Sequence, residues 1–421
     1  MQPFLALGAG LRARGHEVRL ATGRGFAGPA ARHGLEYAPL DADFAALMRT
    51  PEARAALRSP RAALRAWREL GPMVRRVLDG AWLAAEGAEA VVYHPKALAG
   101  VHIAERLRVP AFAAAVQPIL TPTRAFPSPL LPVADLTPAG NRLSHAAVLR
   151  LLALPYRRLV DEWRAEALGL PPRLPCAGEL TLLARPVPRL YGFSPSVVPE
   201  PPDWGPESRV TGYWFPDPDP DVGWEPPGDL ARFLAAGEPP VYVGFGSMAG
   251  PDAPRLTAVV VGALARAGRR GVLATGWGGL SAGDAAEGVF LLREAPHAWL
   301  FPRVAAVVHH GGAGTTHEGL RWGRPSLVCP VFGDQPFWGR RVAVLGAGPP
   351  PVPQGSLTVG RLAEAIRTLA TDPRMRERAR GLGENIRSER GVATAVATVG
   401  RRLGGAASSE AGGSASAKPS L

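Results

Sequence analysis

The stretch His309-His310-Gly311-Gly312-Ala313-Gly314-Thr315-Thr316, with Glu318 just after it and Gly333-Asp334-Gln335-Pro336 further on, decides how this chain is understood. In front of it, residues 304–308 (VAAVV) form a short apolar run, the pattern of a strand buried on both faces of a parallel sheet. Behind it, residues 315–322 (TTHEGLRW) have helical character, with threonines at the cap and an acid in the first turn. The order is strand, glycine-rich turn, helix start. Such a turn lets backbone N–H groups approach an anion, and the positive end of the helix dipole favours a phosphate there. A glycine turn without a ligand has the same local pattern. The polar residues that follow are what make the phosphate reading specific.

Working outward, Val241-Tyr242-Val243 is a second strand, and Gly244, Gly246 and Ser247 form the turn before another helix. In the first half, residues 18–22, 90–93, 111–116 and 189–193 have strand character and alternate with helical stretches at 5–14, 98–106 and 143–168. Alternation of this kind predicts α/β architecture with doubly wound parallel sheets. Residues 43–82 are helical and Ala/Arg/Leu-rich. Residues 216–228 (PDPDPDVGWEPPG) lose all periodicity and are a linker by composition. Helices are expected at 229–236, 361–369 and 374–387, and the Gly/Ala/Ser-rich end is expected to be a disordered tail. The division is therefore 1–215, a linker at 216–228, 229–403, and a tail at 404–421.

The segment from Pro296 to about Trp338 resembles the donor-binding signature of family 1 glycosyltransferases, inverting enzymes with the GT-B fold. It is most similar to the sterol, macrolide and glycolipid glucosyltransferase branch. The likeness is carried by Ala295-Pro296-His297-Ala298-Trp299, His309 to Thr316, and Pro330-Val331-Phe332-Gly333-Asp334-Gln335-Pro336-Phe337-Trp338. It implies two Rossmann-like domains facing across a cleft, the first binding the acceptor and the second the nucleotide sugar. Residue by residue, it implies a diphosphate cradle made by His310, Gly312, Ala313, Gly314 and Thr315, with Ser247 on a second phosphate-side loop. It implies that Glu318 takes the ribose hydroxyls, that Asp334 and Gln335 hold the hexose, and that the strip around His297 flanks the base mainly through main chain. Each has a plainer alternative. Asp334 could be a helix cap and Glu318 a solvated acid, while His309, Phe337 and Trp338 are expected to be structural.

The resemblance also implies a buried first strand and a turn carrying the catalytic base, and these would fall ahead of Met1. The catalytic residue is therefore unassigned in this sequence. His94, in Tyr93-His94-Pro95-Lys96 after a strand, is a weak candidate, since open α/β sheets bind ligands at that edge. Residues 43–82 would help to wall the acceptor site.

Composition removes competitors. At 421 residues the chain can form two ordinary domains. Its net charge of +12 comes from 48 basic residues, all arginine except Lys96 and Lys418, with no run of Lys/Arg longer than two. A diffuse arginine excess with no aromatic interleaving argues against nucleic acid. Cys176 and Cys329 can form neither a disulfide framework nor a zinc site. No signal peptide and no spanning apolar stretch is visible, so a cytoplasmic protein is expected, with peripheral membrane contact open. Asp217, Asp219 and Asp221 alternate but lie in the linker.

The expected function is transfer of a hexose, glucose first, from a UDP- or dTDP-sugar to a hydroxyl of a hydrophobic acceptor, with no cofactor and no metal. The alternatives are a nucleotide-sugar-binding protein without turnover and a deoxysugar transferase of antibiotic biosynthesis.

Overall fold

The computed structural model describes residues 1–41, 60–172, 181–182, 185–216, 224–246, 252–275 and 286–413. Ser247, Cys176, Asp217, Asp219 and Asp221 lie outside them, as does the 42–59 part of the expected acceptor wall.

The N-terminal unit runs α1 (Gln2–Arg12), β1 (Arg19–Gly23), α2 (Ala27–Arg32), β2 (Glu36–Leu40), α3 (Pro60–Ala84), β3 (Val91–Tyr93), α4 (Gly100–Leu107), β4 (Ala111–Ala115), α5 (Pro138–Ala153) and α6 (Arg157–Leu168). A two-stranded antiparallel pair, β5 (Thr181–Leu182) and β6 (Arg185–Pro186), precedes β7 (Arg189–Tyr191) and β8 (Ser208–Val210). The parallel pairing expected from alternation is present, but in two pieces: β1 pairs β2, and a separate sheet has the order β3-β4-β7-β8. Helix α1 joins the pieces by burying both sides of itself. Leu5 packs with Ala30 and Leu35 beside β2, while Ala6, Leu7 and Leu11 pack with Phe112, Ala114 and Leu190 of the larger sheet. β4 is all apolar and wholly buried because helices cover both its faces. Helix α3 lies against the β1–β2 pair and α6.

The C-terminal unit runs α7 (Gly228–Ala235), β9 (Val241–Gly244), α8 (Ala253–Ala267), β10 (Gly271–Ala274), β11 (Val289–Leu292), α9 (His297–Leu300), β12 (Ala306–His309), α10 (Ala313–Arg321), β13 (Ser326–Val328), α11 (Gln335–Val344), α12 (Val359–Thr371), α13 (Pro373–Ser388) and α14 (Gly391–Gly413). All five strands are parallel, in the order β11-β10-β9-β12-β13. The order reverses between β9 and β12, and at such a switch point the loops part and leave a crevice at the strands' carboxyl ends. Cys329, just past β13, is fully buried, and burial pushes its thiol up, as a small core residue requires.

Two features mark the C-terminal end of the chain. Helix α14 does not stay with the C-terminal sheet: Ala395, Val396 and Val399 pack against Ala6, Leu7 and Trp214. It also continues to Gly413, so the expected tail is helical at its start; residues 414–421 lie outside the described set. The two units are tied together at several points. Arg341 donates to the Val197 carbonyl at 2.9 Å, Ser194 and Ser196 donate to the half-buried Glu389, and His317 stacks on Tyr213 at 3.9 Å.

Candidate active site

The site forms where β9 and β12 part. Helix α10 begins at Ala313, two residues earlier than the threonines suggest, because Gly312 takes an extended ψ of 138° and is itself the N-cap, with no side-chain cap. The first backbone bond of the ladder is Thr316 N–H to the Gly312 carbonyl at 3.0 Å. The N–H groups of Ala313, Gly314 and Thr315 are therefore the unpaired donors of the helix start, aimed past its end. Thr316 returns its hydroxyl to the Gly312 carbonyl instead of capping, and Glu318 lies beyond the first turn.

Two glycines in this turn are required by geometry. Gly311 has φ +90°, and a Cβ there would stand 2.5 Å from Val328 Cγ1. A Cβ on Gly312 would stand 2.5 Å from His310 Nε2. His310 also approaches the other loop, since a Cβ on Gly246 would be 3.3 Å from its Cε1. The loop that leads to Ser247 and the β12–α10 turn thus meet at the His310 ring. The ring's Nδ1 is buried with no hydrogen-bond partner among the described residues. Burial holds the imidazole below its usual pKa, opposed by the charge of Asp334 and by the Gly244 carbonyl.

The side chains of His309 and His297 are both engaged by the fold itself. His309 Nδ1 accepts from Gly311 N–H at 3.0 Å, which shapes the turn. His297 stacks on Phe301 at 4.4 Å and meets the Tyr242 hydroxyl at 3.3 Å, and burial lowers it to about 4. The Trp299 ring is engaged by Arg303 at 4.2 Å and by Trp224, so this strip has mainly backbone to offer a base.

Asp334 is the N-cap of α11 but makes no capping bond. Its Oδ2 accepts instead from the buried Trp338 Nε1 at 2.8 Å. Gln335 Oε1 accepts from Val331 N–H at 2.7 Å and Phe332 N–H at 3.2 Å, while its amide nitrogen makes no hydrogen bond among the described residues. The α11 start abuts the turn, with the Gln335 carbonyl 3.1 Å from where a Gly311 Cβ would be.

Glu318 is not the solvated acid of the plainer alternative. It is 4% exposed, and its Oε1 accepts from Trp322 Nε1 at 2.8 Å and Arg321 Nη1 at 3.3 Å. Arg321 is pinned in turn over the Phe215 ring at 4.1 Å. The two acids of the signature therefore share one device: a tryptophan four residues on, whose indole N–H locks the carboxylate. Sequence reading missed both tryptophans as positioning groups, although the i, i+4 spacing that puts them on one helical face was visible.

His94 ends β3. Its Nδ1 accepts from Lys96 N–H at 3.1 Å and its ring meets Phe4 edge-on at 5.9 Å. Burial, then the Lys96 charge, lowers it to about 4, opposed by the Gln117 side chain, which favours the protonated ring. It is neutral near pH 7 but a weak base.

Residues 1–127 match the glycosyltransferase family 28 N-terminal domain, and residues 281–399 match the C-terminal domain of erythromycin biosynthesis protein CIII-like proteins. The chain is 37% identical to a sterol 3-beta-glucosyltransferase of Arabidopsis thaliana across 94% of its own length, and covers 62% of that protein. It is likewise 37% identical to a sterol 3-beta-glucosyltransferase of Emericella nidulans across 96% of its length, covering 29% of that longer protein. These relatives are plant and fungal and lend no support to a setting in bacterial secondary metabolism. In fold, the chain is similar to the kitacinnamycin glycotransferase (TM-score 0.71, 23% identity, 96% and 95% of the two chains). It is also similar to SnogD of Streptomyces nogalater (TM-score 0.63, 23% identity, 95% of each). Two parallel-sheet units with a phosphate-ready turn at the second unit's switch point, matched along nearly the whole chain by these structures, give this chain the GT-B fold, with an N-terminal part that matches glycosyltransferase family 28 and a C-terminal part that matches the EryCIII-like domain.

Proposed function

We propose that the chain transfers a hexose, glucose first, from a UDP- or dTDP-sugar to a hydroxyl of a hydrophobic acceptor of the sterol type, with inversion. The observation that carries this reading is the uncapped start of α10, with three free N–H groups and with the unpartnered Nδ1 of His310 near Asp334. The sterol glucosyltransferase relatives support the acceptor class, and a fold neighbour solved with dTDP keeps that donor in play.

In this mechanism the acceptor oxygen attacks the anomeric carbon from the side opposite the nucleotide and gives up its hydroxyl proton to a general base, or to water, on the acceptor side. The bond from that carbon to the phosphate oxygen breaks, and its electron pair stays on the diphosphate. The N–H groups of α10 and His310 are fixed donors aimed where that charge grows. They supply the positive field that a divalent ion would otherwise provide, so transfer is metal-independent. Asp334 and Gln335 hold the hexose so that the carbon faces the acceptor. Glu318 meets the ribose through a carboxylate already fixed by Trp322.

The experiment is a rate assay with UDP-glucose and dTDP-glucose, a detergent-dispersed sterol, and excess EDTA, with the product's anomeric configuration read by NMR. A β-glucoside formed from the α-linked donor with EDTA present is expected. A retained configuration or a strict metal requirement sinks the proposal. One observation favours a second reading: His94 is a weak base at about 4. UDP binding by calorimetry without any turnover would select a nucleotide-sugar-binding protein.

A further inference from the structure

Helix α5 is inside out. Its buried face carries Asn141, Ser144 and His145, all stitched to the preceding loop. Asn141 Nδ2 donates to the Arg124 carbonyl at 3.0 Å and to Asp135 Oδ1 at 2.9 Å, and its Oδ1 accepts from Leu136 N–H. Ser144 Oγ accepts from Ser128 N–H at 2.8 Å, and His145 Nε2 meets the Phe126 carbonyl at 3.2 Å. These bonds hold the helix by its polar side and leave its leucines outward. Leu143 (68% exposed), Leu151 (63%) and Leu154 (54%) fall with Ala147 on one stripe, at spacings of four, eight and eleven residues. Leu136 stands just ahead of the helix and Leu152 is exposed at its far end, off the stripe, so five of the nine large exposed hydrophobics among the described residues lie between Leu136 and Leu154. A contiguous apolar face of this kind marks an interaction surface.

The surrounding charge selects the partner. Arg142, Arg150, Arg157 and Arg158 are exposed around the stripe, and Arg142 and Arg150 make no ion pair among the described residues. The nearby carboxylates are engaged: Asp135 by Asn141, Asp161 by Arg157 at 3.7 Å and Glu162 by Arg158 at 2.7 Å. A two-fold contact between copies would set unpaired arginines near one another with no acid to meet them. Leucines framed by arginines match the acyl and headgroup levels of an anionic bilayer. No described helix is long and apolar enough to cross a membrane, so the contact is with its surface. The loop under α5 also reaches the cleft, where Phe126 packs on Phe337 at 5.6 Å, two residues past Gln335.

We propose that the outward face of α5, formed by Leu136, Leu143, Leu151 and Leu154 with Arg142 and Arg150, docks the protein on an anionic bilayer surface, from which its hydrophobic acceptor enters the cleft. The acceptor half of this statement rests on the function proposed above; the docking half does not. The test is flotation of the full chain with phosphatidylcholine vesicles, with and without phosphatidylglycerol. The comparison is with Leu143→Glu/Leu151→Glu, the uncharged Leu143→Asn/Leu151→Asn, and Arg142→Gln/Arg150→Gln. The full chain should float with the anionic vesicles, both leucine pairs should partition at least about tenfold less, and the arginine pair should lose the preference for phosphatidylglycerol. With acceptor in detergent the leucine variants should keep their rate, and with acceptor embedded in vesicles they should lose about tenfold. Failure of the full chain to float, or flotation indifferent to the leucines, overturns the proposal. So does light scattering that finds a dimer which the leucine variants convert to monomer. Flotation needs no turnover, so a failed transfer assay with normal flotation faults the functional reading and not the docking surface.

Discussion

The two acids of the signature are equally well held, yet they should fail differently when released. Trp338→Phe keeps a ring in the core and removes only the N–H that fixes Asp334. The hexose then sits less squarely, and kcat should fall about tenfold with donor KM little changed. Trp322→Phe frees Glu318, whose assigned ribose contact exists in ground and transition states alike, so donor KM should rise and kcat should hold. Initial-rate kinetics separate the two, and matching profiles for both variants would dissolve the distinction between ribose and hexose roles. At His310 the prediction concerns protons. Burial keeps its pKa below 6.5 in the free protein, and a diphosphate placed beside it must raise that pKa. Between the two values donor binding takes up a proton, so affinity for UDP should tighten as pH falls through that window. Calorimetry in buffers of different ionisation enthalpy measures the uptake directly, and His310→Asn should abolish it; an affinity flat with pH would count against His310 as a phosphate group.

At the scale of elements, the site depends on one helix start and the turn in front of it. Ala is the better residue in a helix interior, but Gly312 is the N-cap, where Ala costs helix stability only about 1 kcal/mol. At this N-cap the added methyl meets His310 Nε2, and the ring must move out of the cradle. UDP affinity by calorimetry should drop about tenfold while the melting temperature stays near that of the parent, since the loss of one fixed charge-assisted donor is worth roughly 1.5–3 kcal/mol. Unchanged affinity would mean that the ring lies outside the phosphate site. This much of the site was legible beforehand because strand, turn and helix start are neighbours in the chain. The exact start of α10 was not, because threonine's capping preference competes with a glycine free to take the cap conformation, and the turn's packing against Val328 and Gln335 decided between them.

For the whole molecule, the far end of the chain completes the near one. Ala395, Val396 and Val399 of α14 cover Leu7, Leu11 and Trp214 in the N-terminal unit. A chain ending after Ser388 should therefore lose stability in its first half, although nothing there is deleted. Calorimetric melting should show a low-temperature transition assigned to that half while UDP binding by the second half persists. A single unchanged transition would mean that α14 contributes nothing to that core.

What the sequence determined by itself was local and repetitive: apolar runs that can only be buried strands, a glycine turn between strand and helix, and the ordered signature from Pro296 to Trp338. Those follow from sterics and periodicity within a few residues. Only the tertiary structure decided that the first unit's strands form two separate parallel pieces, that α5 faces inward with its polar side, that Glu318 is spoken for by Trp322 and Arg321, and that α14 returns to α1. Each of these depends on which distant surface is available to exclude water or to satisfy a buried polar group, and chain-local patterns do not encode that choice.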